Sequence, residues 1–354
     1  MAGSMGPTIA GGAPLLGAAA GFWFILQGMA KAGIGLKDIV KHRIVIFLMM
    51  IGVCAVYGLI GMLLISKALT TPHLGHPHYV PENAATSAGY ILGIVVMCTA
   101  GALGIFGGEA APCIVEQPRA FVVVVLCAIF IEAVGFYGFI IGLVVTKDAQ
   151  KSVVDIAPDH VLPFAAVAIL PCLGCLAGSL VSGISIVKAA VVRPQIAMRL
   201  VVTLVISQNL GIYGLICALI DAGGRGGDWP PTNSGYMGSL LMLLSGVLIA
   251  YVAYTGIPAV SQEPSLFKSL LMKLIGCASV GLAGLFYELL VTIKKPKMDQ
   301  DEFQDDLMAL PGAGLENYKA LLVSILVLFA VSLFSALKWG ARHRFLVHPV
   351  PLLG

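Results

Sequence analysis

Residues 120–146, AFVVVVLCAIFIEAVGFYGFIIGLVVT, decide the fold class of this chain, because they form a long apolar segment with one charged residue, Glu132. A membrane-spanning helix needs about 20 mostly apolar residues, and this segment exceeds that length. The rest of the chain has the same character, since 58% of its 354 residues are hydrophobic and only 11% are charged. Soluble domains carry about 25% charged residues, so the sequence predicts an all-α integral membrane protein.

Nine apolar segments are long enough to span a membrane. They cover residues 14–36, 43–66, 89–112, 120–146, 163–190, 197–221, 236–258, 267–293 and 319–339. The first eight segments predict four tandem helical hairpins, at residues 1–68, 89–146, 163–221 and 236–293. An acidic loop at residues 294–318 follows, and then an extra transmembrane helix and basic tail at residues 319–354. We therefore expect nine transmembrane helices.

The second helices of the hairpins follow a repeated pattern. Three of them place a proline nineteen residues before a tyrosine or its equivalent: Pro118 and Tyr137, Pro194 and Tyr213, Pro264 and Ala283. In hairpin one the same spacing joins Asp38 to Tyr57. The first helices are rich in glycine, which lets helix backbones approach closely in lipid. The pattern indicates that one ancestral hairpin was copied four times, with the first helices forming a tightly packed layer.

One position of the repeat, five residues before the tyrosine, carries a single acid. The four copies hold Gly52, Glu132, Gln208 and Ala278. Glu132 lies about twelve residues into its span, roughly 18 Å along the helix at 1.5 Å per residue, and so near mid-membrane. An ionised carboxylate there costs at least ~2.5 kcal/mol, so an apolar environment favours the neutral acid. We predict that Glu132 carries a proton, because it can be neutral in lipid and charged beside a cation.

The structural alternative is a buried Glu132 that is hydrogen-bonded to a neighbouring hydroxyl or amide, such as that of Gln208. Glu109 and Asp221 lie near helix ends, where they are expected to reach water. Glu288 also lies near the end of its helix, and we expect its side chain to extend outward.

Neither a metal nor a cofactor is predicted. The loop histidines His73, His76 and His78 have metal-binding side chains, but a solvated loop is the better interpretation. Eight cysteines fall inside or at the ends of apolar segments, which argues against a disulfide framework. The Cys172 and Cys175 pair lies within an apolar helix, where packing is a better explanation than redox chemistry.

Three quoted segments resemble the proteolipid (the c subunit) of V-type and A-type ATPases. They are EAVGFYGFI (132–140), QNLGIYGLICALI (208–220) together with RPQIAMR (193–199), and GMAKAGIGL (28–36). The resemblance covers hairpins two and three well, hairpin one in part and hairpin four in outline. The family repeats a helical hairpin with an Arg-Pro-Glu-type turn, an aromatic-Gly pair and one mid-membrane Glu.

The resemblance implies a rotor ring that contains other proteolipid chains in a lipid bilayer. Each essential Glu then exchanges its proton beside an Arg of a stator subunit, and a central-stalk subunit binds the cytosolic face. In this chain that role falls on Glu132 alone, with Tyr137, Gln208 and Tyr213 as supporting residues. Ala133 follows Glu132, so oxygen ligands for sodium are scarce and a proton is the expected ion. No P-loop is present in the sequence, so ATP hydrolysis belongs to partner subunits.

Basic residues indicate the orientation of the helices. Thirteen lie in the turns within hairpins and in the C-terminal tail, and eight lie on the opposite side. The positive-inside rule therefore predicts cytosolic hairpin turns and a cytosolic C-terminus. The resemblance suggests a vacuolar or other acidic-organelle membrane. The net charge is only +3, and the basic residues are scattered along the chain rather than clustered, which argues against a nucleic-acid partner.

Two other functions remain open at this point. A secondary carrier would use the same Glu for coupling, but carriers usually repeat units of several helices with broken spans. The two-helix repeat favours the rotor subunit instead. A structural ring component that does not transport is the second alternative.

Overall fold

The computed structural model describes residues 5–70, 82–151, 161–223 and 235–293. Eight helices in these ranges are long and apolar enough to cross a membrane, and no strand occurs within them. The prediction of an all-α membrane protein is thereby confirmed. The predicted acidic loop, ninth helix and basic tail lie outside the described residues, as does the histidine loop.

The helical segments follow the chain in pairs. They are α1 (Met5–Lys31), α2 (Val45–Thr70), α3 (Glu82–Glu116), α4 (Phe121–Lys151), α5 (Val161–Val192), α6 (Pro194–Leu200), α7 (Val202–Gly223), α8 (Gly235–Gln262) and α9 (Phe267–Ile293). Short α6 continues into α7, and together they form one span.

Several helices extend beyond the apolar segments that predicted them. Helix α3, for example, begins at Glu82 rather than at residue 89. Its first turns contain polar and small residues, which an apolar count omits. Glu82 stands in the first turn, where its negative charge interacts favourably with the positive end of the helix dipole.

The helices pack in two rows, which we call leading (α1, α3, α5, α8) and trailing (α2, α4, α7, α9). Each leading helix packs on the next leading helix along the chain, and each trailing helix packs on the next trailing one. Each trailing helix also packs on the leading helix that precedes it. Helix α4 therefore lies between α2 and α7 in the trailing row.

Glycines bring the leading helices into backbone contact. In four glycine pairs, a methyl group added to one member would collide with the backbone of the other: Gly6 with Gly89, Gly21 with Gly104, Gly28 with Gly108, and Gly174 with Gly246. Lipid supplies no hydrophobic force between helices, so close van der Waals packing of this kind is a main source of their association. The structure thus has the tightly packed layer that the glycine content predicted.

The aromatic-Gly pair of the repeat places a glycine where each trailing helix meets its own leading helix. A Cβ atom added at these glycines would lie 2.5–2.7 Å from an atom of the leading helix. The four contacts are Gly58 with Pro14, Gly138 with Val95, Gly214 with Pro171, and Gly284 with Gly238. The repeated glycine therefore has the same packing role in all four places.

A second repeated contact joins the leading and trailing helices near mid-span. Ser207 Oγ donates a hydrogen bond to the carbonyl oxygen of Cys175 at 3.2 Å. Ser245 Oγ donates to the carbonyl oxygen of Cys277 at 2.7 Å. Counted from Pro194 and Pro264, the two bonds join the same two positions, with serine and cysteine exchanged. This equivalence supports the alignment of the repeat that the prolines suggested.

Three connections between paired helices are short and use the predicted prolines. One non-helical residue precedes a proline that begins the next helical segment: Gln117–Pro118, Arg193–Pro194 and Glu263–Pro264. The fixed backbone angle of proline suits the first position of a helix, where its missing N–H costs nothing. The first connection is longer and has Gly33 and Arg43 in the left-handed region. The Arg43 guanidinium lies 4.8 Å from the centre of the Phe121 ring, which ties this connection to the start of α4.

Candidate functional site

Glu132 lies on α4 with its side chain half-buried. Glu132 shares one face of α4 with Phe136 and Phe139, which contact Tyr57 of α2. Within the described ranges it makes neither a hydrogen bond nor an ion pair. The acid is therefore at the α2–α4 interface, partly open to the outside of the chain, and is not fixed by a dry contact between helices.

Aromatic rings hold α2 against the face of α4 that carries Glu132. Tyr57 stacks on Phe139 with ring centroids 5.1 Å apart, and its centroid lies 6.0 Å from that of Phe136. Glu132, Phe136 and Phe139 stand at positions i, i+4 and i+7, which share one face of a helix. Tyr57 therefore covers the helix face just beyond the acid.

The supporting residue Gln208 makes its contacts elsewhere. Its side chain is only 4% exposed, and Nε2 donates to the carbonyl oxygen of Phe130 at 2.8 Å and to Ser179 Oγ at 2.9 Å. Its Oε1 atom is buried and has no hydrogen-bond partner in the described part of the chain. The amide therefore does not hydrogen-bond to Glu132, which removes the structural alternative based on this residue.

The supporting residue Tyr137 follows the same geometry one hairpin further on. A Cβ atom at Gly211 of α7 would lie 2.7 Å from the Tyr137 ring, so Tyr137 packs on the helix that carries Gln208. Tyr213 is half-buried against the hydrophobic core. The tyrosine that packs on the Glu132 face of α4 is thus Tyr57. Sequence reasoning used Tyr57 only to align the repeat, and the alignment alone did not show that Tyr57 and Tyr137 each pack on the hairpin that follows their own.

Gly52 and Ala278, the other two residues at the repeat position, have no ionisable group. A Cβ atom added at Gly52 would meet nothing within 4 Å, so open space adjoins this glycine. Of the four repeat positions, only the one occupied by Glu132 can exchange a proton.

The remaining acids of the described helices have other surroundings. Glu109 of α3 forms an ion pair with Lys188 of α5, with a distance of 2.8 Å from Oε2 to Nζ, and both side chains are well exposed. The prediction that Glu288 extends outward is wrong. Its side chain is 3% exposed and packs on Gly238 of α8, because a glycine leaves room for the carboxyl group between α8 and α9.

Comparison with known proteins bears directly on the Glu132 hairpin. The family described as the C subunit of ATP synthase matches residues 86–145, which include most of α3 and α4 and the acid itself. The 16 kDa proteolipid (c subunit) of the V-type proton ATPase from Nephrops norvegicus is 28% identical over 144 residues, which cover 38% of this chain and 89% of that protein. The c subunit of the V-type proton ATPase from Candida tropicalis is 29% identical over 133 residues, which cover 36% of this chain and 80% of that protein.

Fold and site together define a multi-pass, all-helical integral membrane protein of the proteolipid type, with one acid near the middle of a span. The chain is similar to the proteolipid (c-subunit) proteins of V-type proton ATPases, and its Glu132 hairpin matches the family of ATP synthase C subunits. The match takes up most of each relative but well under half of this chain, so the chain is much longer than the proteins it resembles.

Proposed function

We propose that this proteolipid carries protons across the membrane on one carboxyl group, Glu132, within a rotor ring driven by ATP hydrolysis on partner subunits. The proposal rests mainly on the position and surroundings of the Glu132 side chain. The residue lies in the segment that matches the family, is half-buried, and has no hydrogen bond or ion pair in the described helices.

The physical basis is a change of surroundings as the ring turns. Facing lipid, Glu132 is neutral, because an ionised carboxylate at this depth is costly. Beside an Arg of a stator subunit, the opposite charge favours the ionised form, and the proton leaves. Other proteolipid chains complete the ring, and a central-stalk subunit on the cytosolic face turns it.

Of the four repeated positions in the protein, only one holds an ionisable group, and this determines how many protons the ring moves per turn. A ring built mainly from this chain moves fewer protons per turn than a ring with one acid in each pair of hairpins. Each proton moved against 100 mV requires about 2.3 kcal/mol. Fewer protons per ATP therefore allow the pump to work against a steeper gradient.

The transported ion is a proton rather than sodium. Sodium is a hard cation that needs several oxygen ligands, and Glu132 has no hydrogen bond to another oxygen in the described helices. Ala133, the next residue in the chain, adds no side-chain oxygen.

The membrane is that of a vacuole or another acidic organelle, with the hairpin turns and the C-terminus in the cytosol. The excess of basic residues on that side supports this orientation. The names of the two relatives support a V-type proton pump as the assembly in which the chain works.

The test is Glu132→Gln in the intact ATPase, purified and reconstituted into vesicles. We expect the complex to assemble and ATP-driven proton uptake to fall to background, because the amide cannot release a proton. Glu109→Gln is the matched control, since Glu109 is in the same hairpin but at a helix end, and it should pump normally. Normal pumping by Glu132→Gln would refute the proposal. Proton transport by the chain alone, without its ATPase partners, would indicate a secondary carrier.

A further inference from the structure

The buried side chain of Gln208 joins three helices at the depth of the acid. Its amide nitrogen bonds to Phe130 on α4 and to Ser179 on α5, while the residue itself is on α7. Ser179 is fully buried. A polar side chain buried in this way is costly unless its hydrogen bonds are made, so its contacts are expected to be specific.

We propose that Gln208 is a positioning residue for Glu132: its amide clamps α4 through the Phe130 carbonyl, and so presents the acid towards α2 and the lipid. The inference rests on the proposed function of Glu132. It assigns to Gln208 a role through α4 rather than any direct contact with the proton.

The geometry of α4 gives the clamp its effect. Phe130 precedes Glu132 by two residues, and positions two apart lie about 200° apart around a helix. The clamp acts from α7, whereas the face of α4 that carries Glu132, Phe136 and Phe139 packs on α2 on the other flank. A bond to a backbone oxygen fixes both the rotation and the height of the helix, because that oxygen cannot turn independently of the helix. The helical hydrogen bond of Phe130 is kept, since a carbonyl oxygen has two lone pairs.

The hydrogen-bond partners also fix the orientation of the amide. The Phe130 carbonyl can only accept, so the nitrogen of Gln208 must face it. A flipped amide would set two acceptors against each other. This orientation leaves the Oε1 atom of Gln208 buried and without a hydrogen-bond partner in the described helices. The hydrogen bond to Phe130 is therefore made although one amide oxygen stays unsatisfied.

The neighbouring residue provides a matched control. Ser207 is fully buried, is adjacent to Gln208 on α7, and donates to the carbonyl oxygen of Cys175 on α5 at 3.2 Å. Its bond joins α7 to α5 and does not reach α4. Ser207→Ala therefore removes a buried interhelical hydrogen bond without releasing the clamp.

The experiment uses the whole ATPase in vesicles, with two readouts. The first is the rate at which a carbodiimide labels Glu132, read by mass spectrometry of its peptide, and the second is the number of protons pumped per ATP. For Gln208→Leu we expect the labelling rate of Glu132 to fall by at least about fivefold, which is the effect expected from the loss of one interhelical hydrogen bond. We also expect the number of protons pumped per ATP to fall. Gln208→Glu should restore most of the labelling rate, because a neutral acid donates its O–H to the Phe130 carbonyl. Ser207→Ala should leave both readouts near the wild-type values.

Equal behaviour of Gln208→Leu and Ser207→Ala would overturn the inference, whether both variants keep activity or both lose it. If Gln208→Leu does not assemble, Gln208→Met replaces it, since methionine has a similar shape, no hydrogen-bond donor, and a flexible side chain that tolerates imperfect packing. Failure of the proposed function gives a different result, because Glu132→Gln itself would then pump.

Discussion

Tyr57 of α2 packs on the face of α4 that carries Glu132, through Phe136 and Phe139, although the two helices belong to different hairpins. The stack of Tyr57 on Phe139 fixes this arrangement. The surroundings of the acid are therefore assembled from the first and second hairpins together.

The Tyr57→Phe variant removes the hydroxyl of this tyrosine and keeps its aromatic ring, so it tests the hydroxyl alone. The variant keeps the stack on Phe139, so we expect normal assembly and a measurable fall in the rate of ATP-driven proton uptake. Tyr57→Ala also removes the aromatic pair, worth about 0.5–1.5 kcal/mol, and should lower the melting temperature as well. Tyr254→Phe is the control, because Tyr254 is 64% exposed on α8. If Tyr57→Phe and Tyr254→Phe pump alike, the hydroxyl of Tyr57 has no part in proton exchange.

Two glycines of α3 test the backbone contacts of the leading row. A methyl group at Gly104 would collide with the backbone of Gly21, whereas one at Gly101 would meet nothing within 4 Å. We expect Gly104→Ala to destabilise the protein by about 1–3 kcal/mol, the usual cost of overpacking. Gly101→Ala should be neutral or stabilising by roughly 0.5–1 kcal/mol, because alanine favours the helix.

The measurement for both glycines is reversible unfolding in mixed detergent micelles, followed by circular dichroism. Equal stabilities of Gly104→Ala and Gly101→Ala would mean that α1 and α3 do not approach as closely as described.

Carbodiimide labelling should distinguish the acids of the described helices. Glu132 is half-buried and unpaired in those helices, Glu109 is ion-paired to Lys188, and Glu288 is 3% exposed. A hydrophobic carbodiimide reacts with a neutral carboxyl that it can reach from lipid, so Glu132 should be labelled first. Peptide mass spectrometry after brief exposure reads the result. Earlier labelling of Glu288 would show that the α8–α9 groove is open to lipid.

Lys188→Gln should have only a small effect. The Lys188 and Glu109 side chains are 59% and 40% exposed, and pairs this exposed contribute about 0–1 kcal/mol. At low salt we expect the variant to melt at a slightly lower temperature than the wild type. High salt screens the ion pair, so the two melting temperatures should then be equal, and proton pumping should be unchanged. A large loss of pumping would instead assign this ion pair to an interface with a partner protein of the ATPase.

The sequence was sufficient for the fold class and for the position of Glu132. Both depend on properties that are local in the chain, namely hydropathy and the fixed spacing from Pro118. Contacts between helices were harder to predict, because spacing gives the height of a residue along its helix and not the neighbour it faces. Tyr57 was therefore missed as a neighbour of Glu132. The burial of Glu288 was missed because it depends on Gly238, fifty residues earlier in the chain.

The shared polypeptide also has a genetic consequence. Tyr57 and Glu132 are inherited together, so each copy of the protein brings its own complete pair. Two defective alleles, one altered at Tyr57 and the other at Glu132, should fail to complement each other when expressed in the same cell, because no exchange of subunits can reunite an intact tyrosine with an intact acid.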